Sequence, residues 1–532
     1  MSSTFDTIIV GAGSAGAILA TRLTEDPDHS VLLIEAGPDY PEFDDIPDEV
    51  KYGYGHKNRP WRRAHSDHRW TFVARYTDEA MPGLVPRGRV VGGSSAVNAQ
   101  IFLRGVPEDY DTWASWGNDR WSFEELMPFF RMIETDTDFS GDFHGSDGPI
   151  IVRRFKPEEW NAPQRAFYEA ARANGFPDCP DHNAPDTTGV GPTPLNNPGR
   201  VRWSTAIGYL STARERPNLT IQSDCLVHKV LFDGKKAVGT RAEVDGKVSD
   251  YEGENVILSA GAIGSPHLLM LSGVGPVGRL DDVGVPLVHE LPGVGKNLRD
   301  HPQVRMAWRT HDGFEMPEET PGVQITLRYT AAASHLPNDM LILASSRTPI
   351  DYRPYRTGAS DELGLGMTIC IDLAVGAGSL YLRDKDPHIQ PFLDYNYLED
   401  DFDTARFREG VQICLAFAEH EDWARMAKER VYPTDADLES DETLNAWIRR
   451  RVATSHHVSG TCKMGPDSDP MAVVDQFGNV RGLENLKVAD ASIMPDCIRA
   501  NTNVTSMVIG ERVASFIGES YRRDAVNDSG SS

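Results

Sequence analysis

The chain has 532 residues, which predicts two to four domains of ordinary size or two large ones. Hydrophobic residues make up 40% and charged residues 25%, so a large core can form without disulfide or metal staples. The 53 basic and 79 acidic side chains give a net charge of −26, which disfavours nucleic acid and anionic membranes as partners.

The cysteines form no metal or redox motif, and the amino terminus favours a cytoplasmic location. The six cysteines are widely separated and form no C-x-x-C motif, so neither a zinc ribbon nor a dithiol pair is expected, and no metal site is predicted. The first residues lack the basic start and apolar core of a secretory signal. The most apolar stretch, 256–274, contains a proline, a histidine and several glycines, so no membrane span is predicted.

A strand, a glycine-rich loop and a helix are predicted in succession at the amino terminus. The β-branched run 7–10 predicts the strand, and apolar residues from position 17 onward predict the helix. Gly11 suits the tight turn, Gly13 the close approach of a pyrophosphate, and Gly16 the packing of helix on strand. Free N–H groups at the helix start would face the phosphates.

The next predicted strand, 31–34, ends at Glu35, 19 residues after Gly16. A carboxylate at this position can accept hydrogen bonds from the hydroxyls of an unphosphorylated adenosine ribose. The whole unit predicts dinucleotide binding. It leaves NAD and FAD both open, because the two cofactors share the ADP half.

The charge-rich region 36–85 includes a basic and aromatic segment, 59–70. A lid or an anion guide is one interpretation, and a solvated loop crossing the domain is the other. Charge runs are usually surface, so the loop is favoured and no site residue is assigned there.

Two further glycine-rich segments follow. Residues 88–98 form a second glycine and serine loop, too distant to belong to the first phosphate turn and suited to a long ligand. Residues 261–275 follow the strand-like run 256–260 and predict another strand-to-helix corner.

The middle of the chain predicts two sheets. Short strands with Asp-Gly turns begin at 218–221 and belong beside the first sheet. Alternating stretches such as 367–371 and 380–382 predict a second sheet that forms the substrate wall. One apolar face between 405 and 419 predicts a helix that packs in the core.

The carboxyl-terminal part contains the residues with acid–base chemistry. His456 and His457 are adjacent, and an imidazole has the near-neutral pKa that suits removal of a hydroxyl proton. A histidine without further context is more often an ordinary side chain. Asn501 and Asn503 precede the last predicted helix and could simply cap it.

Taken together, these segments resemble the glucose–methanol–choline oxidoreductases, from residue 6 to about 517. The similarity lies in the amino-terminal loop, the segments 88–98 and 261–275, Asp300-His301-Pro302, Gly460-Thr461 and 488–492. The resemblance implies an α/β fold of mixed α+β type, with a Rossmann-like FAD-binding domain and a sheet-based substrate domain. Both are discontinuous: 1–150, 211–303 and 451–532 for FAD, and 151–210 and 304–450 for substrate.

The resemblance also implies site residues. It makes His457 the general base and Asn501 its partner, which positions or polarises the alcohol oxygen. It places Gly92, Ser95 and Asn98 along the flavin and Asp490 near its ribityl–pyrophosphate region. The full set predicted to bind the cofactor is Gly11, Gly13, Ser14, Gly16, Glu35, Gly92, Ser95, Asn98, Asp490 and Asn503.

Three positions depart from the family pattern. Val97 replaces the histidine that tethers FAD in some members, so FAD is expected to bind non-covalently. Gln303 replaces the glutamate with which the choline-oxidising branch holds a quaternary ammonium, so choline is disfavoured. Val458 replaces a proline common after the catalytic histidine, which leaves His456 as an alternative base.

The predicted reaction is oxidation of a neutral alcohol, primary aliphatic or aryl, to an aldehyde or ketone. His457 removes the hydroxyl proton and hydride passes to flavin N5, with oxygen or another electron acceptor reoxidising the flavin. A flavin-dependent lyase or photochemical enzyme on the same fold is the alternative, and a non-catalytic flavin-binding protein is a third.

Overall fold

The computed structural model describes residues 4–54, 66–317, 319–350 and 362–529. Residues 59–65 of the predicted basic and aromatic segment lie outside these ranges. The strands, in chain order, are β1 Phe5–Val10, β2 Val31–Ile34, β3 Arg69–Arg75, β4 Gly83–Gly88, β5 Glu134–Asp136, β6 Ile150–Val152, β7 Gly189–Pro192, β8 Leu219–Gln222, β9 Cys225–Asp233, β10 Lys236–Val244, β11 Lys247–Leu258, β12 Val274–Gly275, β13 His289–Glu290, β14 Pro302–Thr310, β15 Ile325–Tyr329, β16 Met340–Pro349, β17 Leu363–Ile371, β18 Ser379–Tyr381, β19 Phe392–Asp394, β20 Ala427–Tyr432, β21 Ala453–Thr454 and β22 Leu486–Val488. The α-helices are α1 Gly16–Leu23, α2 Asp48–Lys51, α3 Pro107–Ser115, α4 Phe123–Met132, α5 Ala162–Ala173, α6 Ser211–Ala213, α7 Gly261–Leu271, α8 Val277–Asp281, α9 Asp401–Ala418, α10 Glu421–Ala424, α11 Asp441–Arg451 and α12 Thr502–Ser529.

The first sheet contains the predicted amino-terminal strands. Its order is β8-β2-β1-β11-β10-β9, and β22 pairs with β11. Strands β8, β2, β1, β11 and β22 run parallel, and Ile8, Ile9 and Val10 of β1 and all of β2 are buried, as expected for a parallel sheet covered by helices. The predicted Asp-Gly turns close the hairpins β9–β10 and β10–β11.

Helices follow two of these parallel strands directly. The glycine loop joins β1 to α1, and α7 follows β11 at the second predicted corner. Helix α1 packs against the carboxyl-terminal helix α12, so the two ends of the chain meet beside the first sheet. Among the described residues, no helix combines the length and apolarity needed to cross a bilayer.

The second sheet has the order β20-β14-β17-β16-β15-β7, with β21 paired to β14. All these pairs are antiparallel. Helix α9 packs on β17, and its predicted apolar face is fully buried, which confirms that it belongs to the core. The buried residues of that face are Phe407, Val411, Cys414 and Phe417.

A third sheet corrects one prediction. Strand β18, predicted within the second sheet, instead belongs to a four-stranded sheet of order β18-β19-β3-β4. Alternation of apolar and polar residues predicts a strand but not its partner, and here β19 pairs in parallel with β3. This sheet joins strands from both predicted domains. The domain boundaries themselves stay a prediction.

A buried charge network fixes the segment around β5 and β6. It consists of Arg104, Glu134, Asp136, His144, Arg154 and Asp181. His144 Nε2 lies 2.8 Å from Asp181 Oδ2, and its Nδ1 lies 3.1 Å from both Glu134 Oε1 and Asp136 Oδ2. The two arginines and a protonated His144 balance the three carboxylates, which makes this cluster a structural ion network.

We expect His144→Gln to destabilise the protein in a pH-dependent way. Burial alone lowers the pKa of His144, but hydrogen bonds to Asp136, Asp181 and Glu134 raise it to about 10. A pKa raised above the unfolded value of about 6.5 means that the stabilisation is full below that pH and is lost as pH rises through 10.

Urea unfolding measures this difference. Near pH 6, His144→Gln should cost about 3 kcal/mol, the usual effect of breaking a buried ion pair. The cost should shrink between pH 7 and 10. The exposed His335→Gln serves as the control. A cost that does not vary with pH would contradict a charged His144.

Candidate active site

One large cavity of about 1640 Å³ connects the first sheet to the second. One end is lined by the amino-terminal glycine loop and Glu35, and the other by the predicted histidines and the second sheet. The predicted site residues that line it are Gly11, Gly13, Ser14, Glu35, Asn98, His457, Asp490, Asn501 and Asn503. Residues far apart in the sequence therefore converge on a single space.

The two glycine loops touch each other. Gly11 has a φ of +101°, and a Cβ on it would lie 2.5 Å from the Ser259 carbonyl oxygen. Gly93 has a φ of +52°, and a Cβ on it would lie 2.6 Å from Gly13 Cα. Both backbones therefore form one side of the cavity with no space for side chains, which is the cradle that a pyrophosphate requires. Gly16 begins α1 and is buried.

The Glu35 carboxylate lies at the end of β2 and lines the same end of the cavity. It accepts hydrogen bonds of 3.0 Å from the backbone N–H groups of Ala12 and Gly37. Burial raises its pKa to about 7. The bonds to the glycine loop fix its position, and each carboxylate oxygen has a second lone pair available for a ligand. Its role toward ribose stays a prediction.

Ser14 and Asn503 are 489 residues apart and meet in space. The Ser14 hydroxyl donates to Asn503 Oδ1 at 2.7 Å. The amide nitrogen of Asn503 is buried and has no hydrogen-bond partner in the described part of the chain. Because Asn503 lines the cavity, this orphaned donor fits a polar group of a bound dinucleotide.

The second predicted loop contributes in part. Asn98 lines the cavity, as do Gly93 and Ser94. Ser95 is instead fully buried, and its hydroxyl donates to the Gly92 carbonyl at 2.6 Å. Gly92 and Ser95 therefore stabilise the loop from the side that faces away from the cavity. The glycine and serine motif does not show which of its side chains point into the cavity and which point away.

Asp490 joins two parts of the cavity wall. Its carboxylate accepts hydrogen bonds from Gly261 N at 2.9 Å, from Ser265 Oγ at 2.5 Å and from Ser492 N at 2.8 Å. Burial raises its pKa. These bonds tie the start of α7 to the segment after β22, so Asp490 has a structural role in addition to the cofactor role, which stays a prediction.

The predicted base and its partner meet at the opposite end of the cavity. His457 Nε2 lies 3.0 Å from the amide nitrogen of Asn501, and His457 Nδ1 lies 2.8 Å from Nδ1 of His301. An amide nitrogen can only donate, so Nε2 accepts and bears a lone pair. The proton of His457 is therefore on Nδ1 and is donated to His301.

His301 and Asp300 are functional residues whose roles the sequence did not reveal. The Asp300 carboxylate accepts from the backbone N–H groups of both His301 and His457, at 2.7 and 2.8 Å. The Thr454 hydroxyl donates to its other oxygen. A single buried side chain thus holds the two histidines side by side. The family motif at 300–302 indicated that these residues matter, but only the structure shows that Asp300 and His301 contact His457.

The surroundings keep the imidazoles neutral. Burial, His301, His456 and Arg87 lower the pKa of His457 well below its usual range. Burial lowers the pKa of His301 to about 4. Burial, followed by the charges of Arg87, Arg305 and Arg69, lowers the pKa of His456 to about 3. A neutral imidazole can accept a proton at ordinary pH.

His456 also lines the cavity but is held differently. Its backbone has a φ of +68°, and its carbonyl accepts a hydrogen bond from the Arg87 guanidinium. The contact with Asn501 is made by His457. The geometry therefore favours His457 over its neighbour.

The second sheet supplies the wall that faces the histidines. Gln303 and Arg305 on β14 lie opposite Cys370 and Thr368 on β17. The Gln303 amide nitrogen donates to the Thr454 carbonyl at 2.9 Å. A glutamate in this place would set a carboxylate oxygen against that carbonyl, so the position suits an amide.

Comparison with known proteins identifies this architecture. Residues 5–303 match the amino-terminal model of the GMC oxidoreductases, and residues 374–510 match the carboxyl-terminal model. The oxygen-dependent choline dehydrogenase of Photobacterium profundum is 32% identical over 544 residues, covering 97% of this chain and 93% of that protein. The protein of the same name from Escherichia coli O139:H28 is 35% identical over 541 residues, covering 96% and 95%.

Solved structures agree. The crystal structure of pyridoxine 4-oxidase from Mesorbium loti superimposes with a TM-score of 0.88 at 29% identity, covering 97% of this chain and 99% of that one. Formate oxidase of Aspergillus oryzae RIB40 gives the same TM-score at 22% identity, covering 98% and 100%, which supports the fold alone.

The fold and the site define a flavin-dependent oxidoreductase with an FAD-binding and a substrate-binding part, as predicted. The chain belongs to the GMC oxidoreductase family. It is an FAD-dependent enzyme that acts on CH–OH donors.

The contact between the two glycine loops predicts a selective loss of FAD in Gly93→Ala. The new Cβ would overlap Gly13 Cα, so one loop must move away from the cofactor. Gly234→Ala is a matched control, because Gly234 has a similar φ of +59° and nothing within 4 Å of its Cβ position. The flavin-to-protein absorbance ratio of the purified variants measures FAD content. Equal FAD content in both would contradict the packing role of Gly93.

Proposed function

We propose that the protein oxidises an alcohol to an aldehyde or ketone, with His457 as the general base and Asn501 as the group that positions the alcohol oxygen. The observation that carries this proposal is the His301–His457–Asn501 chain of contacts at the cavity wall. When bound, FAD supplies the two-electron acceptor for the hydride. FAD binding is proposed to be non-covalent, since Val97 offers no nucleophile.

The tautomer of His457 suits proton removal. Its Nε2 lone pair accepts the Asn501 amide N–H at the cavity, so an alcohol hydroxyl that takes the place of this hydrogen bond can donate its proton to Nε2. The Asn501 N–H can then donate to the oxygen as negative charge develops on it. The imidazolium formed keeps its Nδ1 proton directed at His301.

The two ends of the cavity support a division of roles. We assign FAD to the segments 1–150, 211–303 and 451–532, and substrate to 151–210 and 304–450. Support comes from the glycine loops, Glu35 and the orphaned Asn503 amide on one side, and from the strands β14, β16 and β17 on the other.

The substrate wall favours an uncharged alcohol over a cation. Relatives are named as choline dehydrogenases and pyridoxine 4-oxidase, and the substrates in both names, choline and pyridoxine, are alcohols. Here Gln303 brings no negative charge, and the charges of Arg87, Arg305 and Arg69 act on the neighbouring His456. A quaternary ammonium would meet the same positive potential. We propose a neutral, primary aliphatic or aryl alcohol.

An anaerobic alcohol panel tests this function. Neutral aliphatic and aryl alcohols, pyridoxine and choline are each mixed with the oxidised holoenzyme, and flavin absorbance is recorded. At least one neutral alcohol should bleach the flavin, and choline should not. Peroxide formation after oxygen is admitted separates an oxidase from a dehydrogenase.

Replacement of the base should abolish that bleaching. His457→Gln should slow flavin reduction by roughly 10²- to 10⁴-fold, the usual contribution of a general base. The matched control is His456→Gln, which should retain most of the rate. A reversed pattern would make His456 the base. A panel that never reduces the flavin would favour a lyase, a photochemical enzyme or a flavin-binding protein.

His301 is expected to act as a positioning residue. His301→Ala removes the acceptor of the His457 Nδ1 proton and one cause of the lowered pKa of His457. Flavin reduction should slow by roughly 10- to 100-fold. The acidic limb of the kcat profile, which we expect below pH 6.5 in the wild type, should move to higher pH.

His301→Asn distinguishes this role from simple packing, because its amide oxygen can accept the same proton. Partial recovery of the rate in His301→Asn, with wild-type FAD content in both variants, is the expected result. A change in stability alone, with the pH profile unmoved, would contradict a positioning role.

A further inference from the structure

Two histidines and a glutamate meet at the edge of the cavity, outside the machinery described above. His228 lies on β9, Glu243 on β10, and His388 in the loop between β18 and β19. One ligand atom from each lies within 4.8 Å of the other two. Glu243 is 145 positions from His388 in the chain, so no sequence motif connects the three residues.

A β-bulge directs His228 toward the glutamate. In the β9–β10 ladder Arg241 pairs with Lys229, and Ala242 pairs with Val227, so His228 is the extra residue of the bulge. A bulge redirects the side chain of its extra residue. The sheet is thus irregular at the point where the histidine joins the cluster.

The distances match a metal site. Glu243 Oε2 lies 3.1 Å from His228 Nε2 and 3.2 Å from His388 Nε2. Zinc bonds of about 2.0–2.1 Å in tetrahedral geometry separate two donors by about 3.3 Å. His228 Nε2 is also buried and has no hydrogen-bond partner within the described ranges, in spite of its nearness to the carboxylate. A shared ion would satisfy that nitrogen.

His388 connects the cluster to the cofactor cavity. The loop residues Arg383, Pro387, His388, Ile389 and Gln390 all line the cavity, as do residues of β9. The loop is held on its other side by hydrogen bonds between the Gln390 side chain and the Val73 backbone. It contacts the β9–β10 hairpin through the His388–Glu243 hydrogen bond and through the edge-on packing of His388 against His228. The cluster therefore bridges two walls of the cavity.

We propose that His228, Glu243 and His388 bind one divalent transition-metal ion, and that this ion fastens the loop 383–390 over the cofactor. Two imidazoles and a carboxylate are ligands that zinc prefers, while calcium and magnesium prefer oxygen ligands alone. Water would complete the coordination. The fastening role rests on the proposed placement of the adenosine half of FAD near Glu35, on this side of the cavity.

The binding test uses zinc and the holoenzyme. After chelator treatment and dialysis, calorimetric titration with ZnCl₂ should saturate at one ion per chain. His228→Gln and His388→Gln should each weaken binding by about tenfold or more. The exposed His335→Gln should bind as the wild type does. Absence of binding in the wild type, or equal binding in all four proteins, overturns the site.

The fastening test measures FAD release. The holoenzyme is placed in mild urea, and the rise of free flavin fluorescence is followed with and without zinc. Zinc should slow release by roughly threefold or more in the wild type and in His335→Gln, but not in His388→Gln. Zinc binding without an effect on release overturns the fastening role. Neither measurement requires turnover, so a negative result here does not bear on the proposed alcohol oxidation, which the alcohol panel tests separately.

Discussion

The geometry of the active site depends on one buried carboxylate. Asp300 accepts the backbone N–H groups of His301 and His457, so one side chain sets the distance between the segments that bear the two imidazoles. Its burial raises its pKa, and the two N–H groups with the Thr454 hydroxyl offset the cost of burying the charge. Loss of these bonds would release both histidines together, so the folding of this region also determines the geometry of the proposed base.

The same burial that organises the pair also sets its proton affinity. Neutral His457 can accept a proton, but the imidazolium then lies in an environment that disfavours charge. Two buried acidic groups lie near the pair. Asp300 lies behind both histidines, and Asp372 Oδ1 lies 3.8 Å from His301 Nδ1, with burial raising the pKa of Asp372 to about 8. The low pKa of His457 therefore keeps the proposed base neutral at ordinary pH, and burial makes the imidazolium formed by proton transfer costly.

Local patterns made the cofactor half of the fold predictable, because strand, glycine loop and helix are adjacent in the chain. The partner of β18 was not predictable, since alternation defines a strand without its neighbour. The pairing of His457 with Asn501 followed from family resemblance. The places of Ser95 and His301 did not, because one depends on side-chain direction within a loop and the other on a contact across 156 residues.

The proposed role of Gln303 in substrate charge is separate from the cofactor site but linked to the proposed base. Gln303 lies on the cavity face of β14, and its amide is held by the Thr454 carbonyl of β21. Thr454 also donates to Asp300, the carboxylate that holds the histidines. The residue proposed to select substrate charge is thus bonded to the same short strand that supports the proposed base. A change at 303 alters the charge of the wall without contacting the glycine loops, but it must keep a donor for the Thr454 carbonyl or disturb the base as well.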